Sequence, residues 1–406
     1  MNKTLLIISG GMEAIPGIIR AKKMGLHVVV SDGNPQAPGF EFADDRIVAS
    51  TYDIEATVDA AKKYDSEIRS IDGVICIASD VPLTVATVSS ELGLSGIPIE
   101  SAKLASDKLS MKKHFAKRGI PIPWFQSVES VDDLSSIVSE REFPLVIKPV
   151  DSRGARGVLR LVKGINLEWA FQHAKSYSAT SRVMVEEYLE GPQFSTESIL
   201  TKDWSVTPGF CERNYDLLES LSPYVVENGG QQPSSINKED KDIISKTAER
   251  AALELGIITG TAKGDMVLTQ SGPKVIELAA RLSGGWFSTD QIPLATGVDF
   301  VGIAIKVALG EYVGREESVP KFSKGVAIRY FFPNEGKIIA IKNAEKFSNV
   351  PWIYKLNILV KPGDCVESIT NHTKRAGFVI ATGSSRDEAV KHAQKVINTV
   401  QIETMV

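Results

Sequence analysis

The sequence predicts a multidomain chain of mixed α/β and α+β class: an N-terminal doubly wound parallel sheet, a central α+β clamp and a small C-terminal α+β domain. Three observations predict it. The first hundred residues alternate short apolar runs with helix-period stretches, the rhythm of βαβ units. From residue 144 the pattern becomes strand, Gly-rich loop, strand, with few helices between, as in an antiparallel α+β region. From about residue 319, short strands lead into one terminal helix. The length of 406 residues fits two or three domains at about 150 residues each.

The run from Thr4 to Ile8 is continuously apolar and suits a buried parallel strand. Gly10-Gly11 makes a turn, residues 15–24 read as a helix, and Gly25 can end it. Strands follow at 27–30, 47–48 and 73–77, with a helix at 56–64. Asp32 follows the second strand, and Ser79-Asp80 lies at the carboxyl end of the fourth, where open α/β sheets bind ligands. One lysine-rich helix is expected over 101–118, stopped by Gly119 and by the prolines of Ile120-Pro121-Ile122-Pro123. Strands are then expected at 145–149, 158–162, 183–187, 195–200, 264–268 and 275–278, with helices at 163–176 and 238–255. Residues 211–215, with Arg213 and Tyr215, read as a connection. The last part shows strands at 325–331, 336–341, 356–360 and 376–382, then a helix at 385–400.

Composition narrows the function. Apolar residues are 43% and charged residues 24%, ordinary for a globular chain, and the net charge is −4. No bulk positive charge is available to capture a nucleic acid. Cys76, Cys211 and Cys365 are odd in number and far apart, which points to a reducing compartment, and the five histidines form no metal-binding cluster. No apolar run nears the roughly 18 residues of a membrane span. The expectation is a cytoplasmic protein with no nucleic-acid or membrane partner. Gly10-Gly11 with Asp32 also suggests a dinucleotide site, but GxGxxG is incomplete.

Three local patterns carry chemistry. Lys148 ends a strand and is followed by Asp151-Ser152-Arg153-Gly154-Ala155-Arg156-Gly157, a loop with two glycines and two arginines. Such a loop lets backbone N–H groups wrap an anion while arginines add charge; the alternative is a solvated hairpin turn. Val183-Met184-Val185-Glu186-Glu187-Tyr188-Leu189-Glu190-Gly191 runs a strand into an edge that can face a heterocycle. Asp265 and Glu277 flank the turn at 270–274, so in a hairpin they lie side by side on neighbouring strands. A carboxylate pair near a phosphate loop is what Mg²⁺ needs.

In this order and spacing, together with Asp107-Lys108 before Gly119-Ile120-Pro121, Glu277-Leu278-Ala279-Ala280-Arg281, Gly284-Gly285 and the C-terminal stretch 371–383, the chain resembles the carboxylate–amine ligases of the ATP-grasp superfamily over essentially its whole length. That group includes phosphoribosylglycinamide synthetase, biotin carboxylase and carbamoyl-phosphate synthase-like enzymes. The resemblance implies a pre-ATP-grasp domain at 1–105, an ATP-grasp domain at 106–315 with a nucleotide lid at about 120–190, and a C-terminal domain at 316–406. It implies ATP with Mg²⁺ (or Mn²⁺) as cofactors, small-molecule carboxylate and amine substrates, and a homodimer.

Residue roles follow from the resemblance. Lys108 and Lys148 would contact the phosphates, and Ser152, Arg153, Gly154, Ala155, Arg156 and Gly157 would close over them. Main-chain groups of Glu186 and Leu189 and the side chain of Glu187, with Tyr188, would face adenine, and Gln193 would reach the ribose. Asp265 and Glu277 would hold the metal, and Arg281 with Lys148 would be catalytic. Many relatives have a metal-binding Asn two residues after the Glu, where this chain has Ala279. Asp80, Arg213, Ser283, Gly284, Gly285 and Trp286 are candidates for substrate contact, as are the loop from Gly10 to Glu13, Asp32, Ser79 and Tyr215. The expected reaction joins a carboxylate, of an amino acid or similar small molecule, to an amine through an acyl phosphate. The alternatives are a purine-type ligase or formyl transferase acting on a ribonucleotide amine, a non-catalytic ATP-binding protein, and a dehydrogenase built on the N-terminal sheet.

Overall fold

The structure, a computed structural model, describes residues 2–405. Its N-terminal part alternates β1 (Thr4–Ile8), α1 (Ile15–Lys23), β2 (His27–Asp32), β3 (Asp45–Val48), α2 (Ile54–Glu67), β4 (Gly73–Cys76) and α3 (Pro82–Glu91). The strands form a parallel sheet in the order β3-β2-β1-β4. Both faces of β1 are covered, and Leu5, Leu6, Ile7 and Ile8 have no exposure; this is why its sequence is apolar throughout rather than alternating.

The helix expected over 101–118 is two helices, α4 (Ile99–Ser106) and α5 (Lys108–Lys117). Asp107 separates them. Its backbone is extended, and its carboxylate accepts the Ser110 N–H as the N-cap of α5. An aspartate in a helical pattern competes for backbone donors and favours such a cap. The break sets Lys108 at the first position of α5.

A four-stranded antiparallel sheet follows, in the order β5-β8-β6-β7, from β5 (Phe125–Val128), β6 (Leu145–Pro149), β7 (Leu159–Leu161) and β8 (Val183–Glu187). Helices α6 (Val131–Arg141) and α7 (Leu167–Ser176) pack on it around Leu134, Ile147, Phe171 and Val185.

The largest sheet has eight strands. It takes β9 (Gln193–Leu200), β10 (Ser205–Asn214), β11 (Gly229–Gln232), β12 (Gly260–Thr269) and β13 (Gly272–Ala279), with α8 (Lys238–Glu254) across one face. After α9 (Ile292–Thr296) and α10 (Phe300–Ala308) it is joined by β14 (Gly325–Tyr330), β16 (Ile353–Ile358) and β18 (Gly377–Gly383). The order is β13-β12-β9-β10-β11-β14-β18-β16, so one sheet runs through residues 315/316. A small sheet of β15 (Gly336–Lys342), β17 (Cys365–Val366) and β19 (Gln401–Met405) completes the chain, with α11 (Arg386–Thr399) packed beside β14 and β18. Among the described residues no helix is long and apolar enough to cross a membrane.

Residues 211–214, expected as a connection, are the end of β10. Pro208 and Gly209 disguise the strand. The ladder to β9 shifts register between Val206 and Gly209, and a bulge is where a sheet tolerates proline.

Candidate active site

Two adjoining cavities, of about 460 and 250 Å³, share Tyr52, Asp80, Arg153 and Glu277 on their walls. They lie where the carboxyl end of the parallel sheet meets the eight-stranded sheet. A parallel bridge between Ile77 and Leu282 makes that junction. It brings Asp80 to Arg281, whose Nε donates to Asp80 Oδ1 at 2.7 Å. Burial disfavours the Arg281 cation, but Asp80 outweighs it and holds the guanidinium above its ordinary range.

The hairpin of β12 and β13 makes Asp265 and Glu277 direct register partners. Both line the larger cavity. Arg213 Nη1 lies 3.0 Å from Asp265 Oδ1, Lys263 Nζ 2.5 Å from Oδ2, and Lys108 Nζ 3.2 Å from Glu277 Oε2. Burial pushes both acids up, yet the cations prevail: Arg213 and Lys263 hold Asp265 below the usual carboxylate range, and Lys108 leads in bringing Glu277 down to about 2. Both are ionised at neutral pH.

The 152–157 loop arches over the same space. Gly154, Ala155 and Gly157 take left-handed φ values of 64°, 59° and 73°, a geometry that glycine adopts without strain. Arg153 stacks over Tyr52 at 4.5 Å and donates to the Asp80 carbonyl at 2.5 Å, while the Gly154 carbonyl accepts the His372 N–H at 3.0 Å. Lys108 Nζ donates to the Ser152 carbonyl at 2.6 Å. Arg156 turns its Nε to the Arg153 carbonyl at 3.0 Å.

Lys148 is buried and ion-paired to Glu186. Lys112, which sequence reasoning missed, reaches the other oxygen of Glu186 at 3.0 Å. Burial pushes Lys112 down to about 8. Glu186 is drawn below the usual range by the two lysines, against burial. The Glu186 side chain therefore serves the lysines. Glu187 Oε2 accepts from Lys274 Nζ at 3.1 Å and from the Trp124 N–H at 3.3 Å. Lys148, Glu186, Glu187, Tyr188, Leu189 and Gln193 line neither of the two cavities. Trp286 does not face the cleft either: it is buried with its ring stacked on Phe378 at 3.8 Å. Ser283, Gly284 and Gly285 do line it. The Gly285 N–H donates to Glu13 Oε2 at 2.7 Å, and any Cβ on Gly284 would sit 2.6 Å from that same oxygen.

Further groups arrive from the ends of the chain. Glu13, His372 and Arg375 line the cleft with Glu227 and Tyr330. Arg375 lies 3.6 Å over the Tyr330 ring and donates to the Glu227 carbonyl at 2.6 Å. Burial, then Arg375 and Arg213, hold His372 well below its ordinary value, so the ring is neutral and its Nε2 accepts the Glu227 N–H at 3.2 Å. The 371–383 stretch was the signal in the sequence that could have found His372 and Arg375.

The donor set fits a metal-bound polyphosphate. Among the described residues five arginines have a buried Nε without an acceptor, and two of them, Arg153 and Arg375, line this cleft. Among the described residues no three His, Cys, Asp or Glu side chains converge on one point. The protein therefore offers Mg²⁺ two carboxylates, a set that phosphate oxygens and water complete.

The family model described as "ATP-grasp domain" matches residues 105–285, and that described as "L-amino acid ligase C-terminal domain 2" matches residues 329–405. The formate-dependent phosphoribosylglycinamide formyltransferase of Sulfurisphaera tokodaii is 25% identical over 98% of this chain and 97% of its own. The L-amino acid ligase from Bacillus licheniformis superposes with a TM-score of 0.83 at 20% identity, over 100% of this chain and 99% of that one. The biotin carboxylase domain of Hydrogenobacter thermophilus 2-oxoglutarate carboxylase, solved with MgADP and bicarbonate, gives 0.74 at 17% identity, over 99% and 91%. Residues 105–285 therefore carry an ATP-grasp domain. Over its whole length the chain resembles the carboxylate–amine ligases of the ATP-grasp type.

Proposed function

We propose that this protein is an ATP- and Mg²⁺-dependent ligase that activates the carboxylate of an amino acid or similar small acid and joins it to an amine, releasing ADP and phosphate. The observation that carries this reading is the Asp265–Glu277 pair, in register on β12 and β13 and facing Lys108, Arg281 and the 152–157 loop across one cleft.

A carboxylate is already anionic, so the first step needs alignment and charge neutralisation rather than a base. One carboxylate oxygen bonds to the γ-phosphorus, the bond from that phosphorus to the β–γ bridging oxygen breaks, and ADP leaves. Lys108 and Lys148 position the phosphates, and Arg281 presents a planar fork to the acid or the acyl phosphate. Asp265 and Glu277 would hold Mg²⁺, which would supply charge neutralisation at the phosphate oxygens when bound. The 152–157 loop keeps water from the acyl phosphate. The amine then bonds to the acyl carbon, the C–O bond to phosphate breaks, and the amine proton leaves with solvent. A cytoplasmic homodimer is part of this reading.

A ribonucleotide amine as acceptor is the second reading. It is supported by Arg156, which has no carboxylate within ion-pair distance among the described residues, and by Arg375 reaching the cleft. ADP release measured over amino acids and small acids, each with and without an added amine, tests both. The expected result is ADP formed only with acid present, lost in Lys148→Ala and Glu277→Ala. ADP released at the full rate by Glu277→Ala in Mg²⁺ would contradict the assignment. Turnover confined to a phosphorylated amine would favour the second reading.

A further inference from the structure

The cleft face of the large sheet is laid out in two rows. Ser195, Asp265 and Glu277 are register partners across β9, β12 and β13; Glu197, Lys263 and Ala279 are partners one step along. Residues two apart on a strand share a face, so Lys263 stands beside Asp265 and reaches Oδ2 at 2.5 Å, while Arg213 takes Oδ1 at 3.0 Å. Glu197, on the other side of Lys263, is engaged instead by the Ser283 N–H at 2.5 Å. Among the described residues Asp265 is the one carboxylate within ion-pair distance of Lys263. Ala279 contributes no oxygen to its row.

The charges then limit what else can enter. The carboxylates of Asp265 and Glu277 already face Arg213, Lys263 and Lys108. One divalent cation, brought with the polyphosphate, can still find ligands. A second would meet the Lys263 ammonium and the Ala279 methyl group, while the carboxylate of that row, Glu197, is buried off the cleft walls with one oxygen on the Ser283 N–H. Phosphoryl transfer is served by one metal or by two. We infer that this cleft works with a single divalent cation and that Lys263, as a fixed ammonium, supplies the positive charge a second would bring. The inference rests on the nucleotide reading above.

The test counts bound metal rather than turnover alone. Mn²⁺ is titrated into the full chain at saturating non-hydrolysable ATP analogue and followed by electron paramagnetic resonance. The wild type is expected to bind one Mn²⁺ per chain. Lys263→Gln, which removes a like charge beside the metal at similar size, is expected to bind Mn²⁺ about tenfold more tightly or to take up a second ion, with kcat lowered about 100-fold. Lys263→Arg, which keeps the charge, is expected to stay at one ion. Two ions in the wild type would overturn the inference and leave the nucleotide reading standing. So would Lys263→Gln with wild-type metal affinity, stoichiometry and kcat. Failure of the analogue to bind at all would overturn the nucleotide reading, and this inference with it.

Discussion

Glu197 shows how a single side chain can be held against its preference. It is fully buried, and among the described residues the Ser283 N–H meets one of its oxygens while the other finds no donor. Burial pushes its carboxyl up to about 7. Between pH 4.5 and 7 the folded protein therefore keeps a proton that the unfolded chain has released, so stability falls as pH rises through that window. Glu197→Gln keeps an oxygen for Ser283 and removes the titration. Its stability curve, from denaturant unfolding across pH 4.5–7, is expected to lose this decline, worth up to roughly 3 kcal/mol. A variant whose slope matches the wild type would show that Glu197 titrates normally.

Residues differ in how readable they were. The Asp265–Glu277 pairing was legible because a hairpin is local: strand, turn and strand fix the register. Lys148 and its loop were legible for the same reason. Lys112, His372 and Arg375 were not, because their positions depend on contacts far away in the sequence, and Glu13 was legible only as part of the candidate loop 10–13, without its partner. Glu13 meets Gly285, and Lys112 meets Glu186 and the Val275 carbonyl. The Glu187 carboxylate, expected near adenine, meets Lys274 and the Trp124 N–H, and the Glu186 carboxylate beside it binds two buried lysines, partners that strand alternation alone does not reveal.

At the level of elements, the 152–157 loop shows why particular glycines are needed. Gly157 has φ 73°, and a Cβ there would lie 2.8 Å from the Tyr177 Cβ and 3.1 Å from the Pro149 Cδ. Gly154 has a similar φ of 64°, but nothing lies closer to its Cβ position than Thr373 at 4.0 Å. Alanine at either site meets the left-handed backbone cost of about 1–2 kcal/mol, and only at Gly157 does it also collide. Gly157→Ala is expected to raise KM for ATP by about tenfold, with Gly154→Ala affected clearly less. Equal effects would mean that packing against α7 and β6 does not set the loop. Element reading erred most at β10, where Pro208 and Gly209 imitate a turn, and at 101–118, where Asp107 divides one helical pattern into two helices.

Across the whole molecule, the cleft is a meeting point of segments that are remote in the chain. The N-terminal sheet brings Glu13 and Asp80, the hairpin brings Asp265 and Glu277, and the 371–375 stretch brings His372 and Arg375. The 152–157 loop touches both ends at once, through Asp80 and Tyr52 on one side and His372 on the other. Because β14, β18 and β16 continue the eight-stranded sheet, the C-terminal residues are fixed relative to Asp265 by one hydrogen-bonded ladder. A net charge of −4 is compatible with this polyphosphate-sized cleft, since Lys108, Arg153, Arg156, Arg213, Lys263, Arg281 and Arg375 are gathered on its walls.

The central claim is that a carboxylate oxygen attacks the γ-phosphorus. An acid substrate labelled with ¹⁸O in its carboxylate tests this most directly, with the released phosphate analysed by mass spectrometry. The account predicts one labelled oxygen in each phosphate, appearing with ADP in step with the amide. Unlabelled phosphate alongside amide, or AMP in place of ADP, would contradict it.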